Sequence, residues 1–330
     1  MTAAPFGSPI GPVATRFLAL KRALGRGYAQ EEAILRTLDA FLAAAGPADL
    51  TAATFAAWGQ TLLRLRPGVR RNWLRIARNL CLYRRRTEPA CFVPDPAGFP
   101  APHQPVAPYI FAPQEIARLL QCADQLSPTP GSPLRAAAYR LAVVLLYTTG
   151  LRRGELVRLM VGDYEPVAQT LAIRASKFHK SRCVPLAADG AREIERYLAA
   201  RRARPRPITP ADPLVWCGAG RLWPYTGAGF AQGFRALCRT AGIQTPGGRV
   251  PRVHDTRHSC AVQALLRWYH VGADVQAKLP LLATYLGHVS IVSTAYYLHF
   301  LAPVALAASD RFAQRYGALI APLPGKEDAP

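Results

Sequence analysis

The chain has 330 residues, half of them apolar, which is enough for about two domains with a core each. Its 41 Lys and Arg against 20 Asp and Glu give a net charge of +21, which indicates a polyanionic partner, either nucleic acid or an anionic membrane. The seven widely spaced cysteines form no CxxC pair and so indicate neither a disulfide framework nor a zinc ribbon. We find no secretion signal and no apolar run long enough to span a bilayer, and therefore expect a cytoplasmic protein.

The first part of the chain predicts a small helical domain over residues 15–88, with helices near 15–24, 29–45, 52–66 and 69–86. Asp49 or Thr51 is expected to cap the third helix. In the fourth, a buried stripe is predicted at Trp73, Ile76, Ala77, Leu80 and Tyr83. Arg71, Arg75 and Arg78 fall on its other side, which is either a solvated face or a DNA-binding one.

A Pro-rich segment over residues 89–110 predicts an extended linker between two domains. The second domain starts with a helix at Pro113 and is mostly helical, with an apolar helix over 134–149. Residues 170–175 and 182–186 predict two strands of a hairpin with a basic tip.

Four local patterns could carry chemistry. There is no clustered set of carboxylates for a metal-dependent nuclease and no GxxxxGK[ST] loop for ATP. The patterns are Thr-Gly-Leu-Arg-Arg-Gly-Glu-Leu (149–156), Ser-Lys-Phe-His-Lys-Ser-Arg (176–182), His-Asp-Thr-Arg-His (254–258), and Leu-Gly-His (286–288) followed by Ser-Thr-Ala-Tyr-Tyr (293–297).

In this order and with these separations, the four patterns resemble the catalytic domain of the tyrosine recombinase (phage integrase) family. The resemblance runs from Phe111 to the last motif, and the helical N-terminal part resembles the family's core-binding domain. It implies a mainly α fold, with a SAM-like N-terminal domain and a catalytic domain over 111–320 that carries a small β-sheet. The hairpin has Phe178 where many members have Gly, and it looks more like the integrases of mobile elements.

The resemblance also implies the roles of individual residues. Its catalytic set is Arg152, Lys177, His254, Arg257, His288 and Tyr297, with Glu155 and His258 in support. Phosphate contacts are expected from Arg71, Arg75, Arg78, Lys180 and Arg182. In this scheme Arg and His donors stabilise a phosphorane and a Tyr hydroxyl forms the covalent intermediate, so no cofactor, metal or ATP is expected.

Four alternatives stay open at this stage. Arg153 could replace Arg152, and Lys180 could replace Lys177. His254 and His258, spaced i and i+4, could bind a metal, although no third ligand is evident. Tyr296 could be the nucleophile in place of Tyr297, since the two point about 100° apart on a helix.

The expected partners are double-stranded DNA recombination sites and further copies of the chain, as a homo-tetramer on DNA. Accessory recombinases are a further option, and a membrane partner is not expected because the Arg-rich faces lack an open apolar side. The helical segment Leu301–Leu319 is a candidate for exchange between protomers or for packing on its own domain. Two rival functions are a type IB topoisomerase and a catalytically silent DNA-binding regulator.

Overall fold

The architecture comes from a computed structural model, which describes residues 6–44, 46, 49–102, 106–174, 181–217, 223–288, 290, 292–299 and 302–320. The chain divides into two compact units, residues 1–106 and 107–330. Both are mainly helical, and the second carries a small sheet, so the predicted fold class is confirmed. Within the described ranges, no helix is both long and apolar enough to cross a membrane.

Four helices build the N-terminal unit: α1 (Gly11–Ala23), α2 (Ala29–Ala44), α3 (Ala52–Thr61) and α4 (Pro67–Arg84). Thr51 is the cap of α3, because its hydroxyl accepts from the Thr54 amide at 3.2 Å. The helix ends at Thr61, earlier than the predicted residue 66. The buried stripe of α4 is Leu74, Ile76, Ala77, Leu80 and Cys81. Trp73 and Tyr83 pack against the same core, as predicted, but are only partly buried.

Part of the predicted linker packs on this unit. Its apolar side chains on the N-terminal core are Phe92, Val93 and Phe99. Arg71 donates to the carbonyl oxygen of Pro100, and Arg78 Nε donates to that of Pro94 at 3.0 Å. These two arginines thus hold the Pro-rich segment against α4. Arg75 is exposed, and in the described structure its guanidinium donates to the side chain of Asn72.

The second unit is built around one apolar helix. Its helices are α5 (Pro113–Asp124), α6 (Arg135–Thr149), α7 (Arg153–Leu156), α8 (Ala188–Arg202), α9 (Gly227–Thr240), α10 (Val253–His270), α11 (Val275–Leu286), α12 (Val292–His299) and α13 (Ala302–Ile320). Helix α6 packs against α5, α8 and α10. Its side chains at Leu141, Val143, Leu145 and Leu146 are fully buried, as a central helix requires.

A three-stranded antiparallel sheet, in the order β1-β2-β3, lies between α7 and α8 in the chain. Strands β2 (Thr170–Ile173) and β3 (Arg182–Pro185) form the predicted hairpin, and Leu171 faces Val184 across it. Strand β1 (Tyr164–Glu165) was not predicted, because two residues are too few for an alternating pattern. A second, two-stranded sheet pairs β4 (Trp216–Cys217) with β5 (Trp223–Pro224).

The C-terminal helices fix where the last motif lies. Helix α11 ends at Leu286, and Gly287, whose φ of +69° suits glycine, turns the chain into His288. Helix α12 follows, and α13 packs against α10. Arg311 of α13 donates to the carbonyl oxygens of Ala273 and Gly272 at 2.7 and 2.8 Å. The helix predicted over 301–319 is confirmed from Ala302 onward, and its exchange between protomers stays a prediction.

Candidate active site

Helix α10 carries three of the predicted site residues in its first two turns. Its first turn is fixed by Asp255, a fully buried carboxylate that accepts from the Arg252 amide at 2.7 Å and from Arg252 Nη2 at 3.0 Å. A carboxylate is favourable at a helix N-terminus because of the helix dipole. With this end held, the rings of His254 and His258 lie edge to face, 4.7 Å apart between centroids.

Arg257 ties α10 to two other helix ends. Its side chain is buried, with 1% exposed, and it donates to the carbonyl oxygen of Gly150 at 2.6 Å and to that of Leu286. Gly150 has a φ of +62°, and a Cβ there would lie 2.5 Å from Leu286 Cδ2, so glycine is required at this approach. Burial and the nearby Arg152 lower the pKa of Arg257 to about 10, and it stays charged at neutral pH.

Glu155 is a buried acid that holds Arg152. It accepts from Arg152 Nη1 at 2.7 Å and from the Arg152 amide at 2.9 Å. It also accepts from Arg182 Nη2 at 2.9 Å and from Arg182 Nη1 at 3.2 Å. Arg152 further donates Nη2 to the carbonyl oxygen of Gly287 at 2.8 Å, which places it beside His288.

Arg182, expected at DNA, is held by three hydrogen bonds within the protein. Its Nε donates to the carbonyl oxygen of Tyr285 at 2.9 Å, and both Nη atoms donate to Glu155. Only 10% of the side chain is exposed. Arg182 therefore joins β3 to the end of α11 and to Glu155, and its phosphate contact stays a prediction.

The three histidines lie close to the arginines. Burial, followed by Arg257 and Arg152, lowers the pKa of His288 to about 3. Burial and the neighbouring His254 lower the pKa of His258 to about 4. Burial and Arg257 also lower the pKa of His254. At neutral pH all three rings are therefore uncharged, and each can donate from one nitrogen and accept at the other.

Tyr297 points into this cluster. Its hydroxyl lies 2.8 Å from His258 Nδ1, and its side chain is only 2% exposed. The ring packs in a small apolar core formed by α10 and α11. The side chain of Tyr296, the alternative nucleophile, lies outside the described residues.

The other predicted site residues divide into two groups. Lys177 and Lys180 lie outside the described residues. Arg153 is exposed, whereas Arg152 is partly buried and is held by Glu155 and by the carbonyl oxygen of Gly287. Across the described ranges, no three His, Cys, Asp or Glu side chains form a group that could hold a metal ion.

Sequence reasoning missed a basic cavity beside Arg152 and His254. Its volume is about 420 Å³. Its lining residues are Arg152, Arg153, Gly154, Ala231, Arg235, Arg252, Val253 and His254. Arg153 and Arg252 adjoin the motifs and could have been found from them. No sequence signal marks Arg235, because α9 meets α7 only in the folded chain.

A helical domain that brings a buried tyrosine hydroxyl to a set of arginines and histidines is typical of enzymes that break and rejoin DNA strands. The model of the phage integrase family matches residues 110–302, more than half of the chain. The chain therefore belongs to the phage integrase family, and it is a site-specific DNA recombinase of the tyrosine type.

Individual relatives agree with this assignment. The chain is 32% identical over 285 residues to the integrase/recombinase y4rB of Sinorhizobium fredii, covering 86% of this chain and 90% of that one. It is 30% identical over 199 residues to the tyrosine recombinase XerD of Bradyrhizobium diazoefficiens, covering 58% and 59%. The solved structure of the Tn1549 transposon integrase in complex with transposon right end DNA covers 91% of this chain and 99% of its own, with a TM-score of 0.60 and 16% identity. That last likeness concerns the fold.

Proposed function

We propose that this recombinase cuts DNA by attack of the Tyr297 hydroxyl on the scissile phosphate. The step forms a bond between the tyrosine oxygen and the 3′ phosphate and breaks the bond to the 5′ oxygen, which leaves as a hydroxyl. The observation that carries the proposal is the contact of 2.8 Å between the Tyr297 hydroxyl and His258 Nδ1, inside a cluster of cationic groups. A covalent intermediate keeps the phosphodiester energy for rejoining, so the step needs no ATP.

The proton of Tyr297 passes to His258 in this scheme. The His258 ring is neutral at neutral pH because its pKa is about 4, and its Nδ1 is already at hydrogen-bonding distance from the hydroxyl. The sequence predicted a supporting role for His258, and we propose in addition that it accepts this proton. Lys177 is proposed to protonate the leaving 5′ oxygen, on the resemblance of the hairpin motif alone.

Arg152 and Arg257 are proposed to bind the non-bridging oxygens of the phosphate, whose negative charge grows as five-coordinate phosphorus forms. The bonds from their guanidinium groups to backbone carbonyls hold both side chains in place before DNA arrives. A guanidinium is a planar fork of N–H donors whose geometry matches two oxygens of a phosphate. His254 and His288 are proposed to donate to the same oxygens.

The proposal extends to the DNA partner, the cellular role and the assembly of the protein. The charge of +21 supports binding to double-stranded recombination sites. We also propose that the chain serves a mobile element and acts in the cytoplasm, and it shares its fold with a transposon integrase. We further propose that four copies of the chain act together on two DNA sites. In this assembly α13 is exchanged between protomers, and accessory recombinases take part.

Covalent trapping tests the chemistry. Purified protein is incubated with nicked duplexes from its own genetic neighbourhood, in the presence of a chelator, and the products are separated on denaturing gels. We expect an adduct with the wild type and with Tyr296→Phe, but none with Tyr297→Phe. A label on the 5′ side of the cut should stay with the protein, because the bond is to the 3′ phosphate. An adduct lost only in Tyr296→Phe would overturn the assignment of the nucleophile.

A further inference from the structure

A contact that the recombination scheme leaves unused joins His288 to Thr294. His288 Nδ1 lies 2.7 Å from the Thr294 hydroxyl oxygen. Thr294 is fully buried, three residues before Tyr297 on α12. The contact therefore connects a histidine that follows α11 to the helix that carries the proposed nucleophile.

The hydrogen of this contact can be placed by counting donors and acceptors. A buried hydroxyl hydrogen needs an acceptor, and His288 Nδ1 is the acceptor that the described residues provide for Thr294. If Nδ1 carried the hydrogen, the hydroxyl hydrogen would have no partner there. Nδ1 of His288 is therefore unprotonated, and in a neutral ring the hydrogen lies on Nε2.

The surroundings of His288 keep its ring neutral. The ring is partly buried, and the charges of Arg257 and Arg152 lie close enough to lower its pKa to about 3. A neutral imidazole donates from one nitrogen only, so the choice of tautomer decides whether His288 can donate toward the phosphate. In the tautomer with hydrogen on Nε2, the donor is the nitrogen that Thr294 does not occupy.

We propose that Thr294 is a positioning residue that holds His288 in the tautomer with hydrogen on Nε2, so that the neutral ring donates to a phosphate oxygen. This inference rests on the function proposed above for His288. Because Thr294 lies about one helical turn before Tyr297, the same hydrogen bond orients the histidine and sets the start of the tyrosine helix against it.

Nitrogen NMR of the histidine rings in the full chain tests the tautomer without any need for DNA or activity. His288→Gln identifies the signals of His288, and Thr294→Ser and Thr294→Val are then compared with the wild type. Wild type and Thr294→Ser should show an unprotonated Nδ1 and a protonated Nε2, whereas Thr294→Val, which keeps the shape and loses the hydroxyl, should show both tautomers. A protonated Nδ1 in the wild type would overturn the proposal.

A double-mutant cycle tests the functional consequence with single-turnover formation of the covalent adduct. Thr294→Val should slow adduct formation about tenfold, the factor that corresponds to one neutral hydrogen bond, and Thr294→Ser should restore most of the rate. In the His288→Gln background, Thr294→Val should have no further effect. A full tenfold loss in that background would mean that Thr294 acts through the packing of α12, which contradicts the proposal. Failure of the wild type to form any adduct would instead refute the recombination chemistry and leave the NMR result standing.

Discussion

Replacing Glu155 by Gln should destabilise the second unit, residues 107–330. The Glu155 carboxylate is 3% exposed and balances two guanidinium groups, with four donor contacts between 2.7 and 3.2 Å. Glutamine keeps the shape but removes the charge and turns an N–H₂ group toward an arginine donor. Arg182, 10% exposed, would then be a buried cation without its carboxylate. Loss of one partner of a buried ion pair costs about 3–5 kcal/mol, and we expect about 3 kcal/mol because the amide oxygen still accepts one bond.

Urea unfolding followed by circular dichroism measures this loss, fitted with two transitions because the chain has two units. The matched control is Asp189→Asn, which removes the carboxylate of another i,i+3 pair, Asp189–Arg192, whose side chains are 84% and 72% exposed. An exposed pair contributes less than about 1 kcal/mol, so the control should unfold almost like the wild type. If Glu155→Gln lost no more free energy of unfolding than the control, the reasoning on the buried acid would be refuted.

Three further outcomes are expected. Because the pKa of His258 is about 4 in the folded chain, against 6.5 for an ordinary histidine, the unfolded chain binds more protons between these values. Stability should therefore fall as the pH drops from 6.5 to 4, and His258→Gln should reduce that fall by up to about 3 kcal/mol in urea unfolding at the two pH values; an unchanged pH dependence would contradict the burial argument. Arg235→Gln should lower the slope of log affinity for duplex DNA against log salt concentration by about 1, whereas Arg192→Gln, at an exposed control position, should leave this slope unchanged. Equal slopes for the two variants would show that the basic cavity binds no phosphate. Gly150→Ala should lower the free energy of unfolding by about 1–3 kcal/mol more than Gly248→Ala, because both glycines have a positive φ but of the two only Gly150 has atoms crowding an added Cβ. Equal losses in urea unfolding would mean that backbone strain alone accounts for the cost and that crowding at Gly150 contributes nothing.

The local elements could be predicted because each has its own sequence signal. The hairpin around β2 and β3, the cap at Thr51 and the helix starting at Pro113 depend on neighbouring residues. The motif pattern also placed Arg257 and His288 in one site, and in the structure the charge of Arg257 lies close enough to His288 to lower its pKa.

Contacts between distant segments could not be predicted in the same way. His258 meets Tyr297 across 39 residues of sequence, and Arg182 meets Glu155 across 27. Both contacts depend on how α7, β3, α10 and α12 pack, which no local pattern specifies. For this reason neither the contact between His258 and Tyr297 nor the ion pair between Arg182 and Glu155 could be predicted from the sequence.

The Pro-rich segment shows a related difficulty. Its composition correctly indicates a segment without long helices or strands, but its aromatic residues Phe92 and Phe99 pack on the N-terminal core. Proline density reports on backbone hydrogen bonding and says nothing about side-chain burial. Arginines of α4 that are expected at DNA therefore also serve as donors to the carbonyls of Pro94 and Pro100.

The most direct test of the central claim is to locate the DNA on the protein. The trapped adduct is digested with nuclease and trypsin, and the peptide of residues 279–311, which contains Tyr285, Tyr296 and Tyr297, is fragmented in a mass spectrometer. We expect a nucleotide joined through its 3′ phosphate to Tyr297. A nucleotide on Tyr296 or Tyr285, or on a residue outside this peptide, would contradict the account.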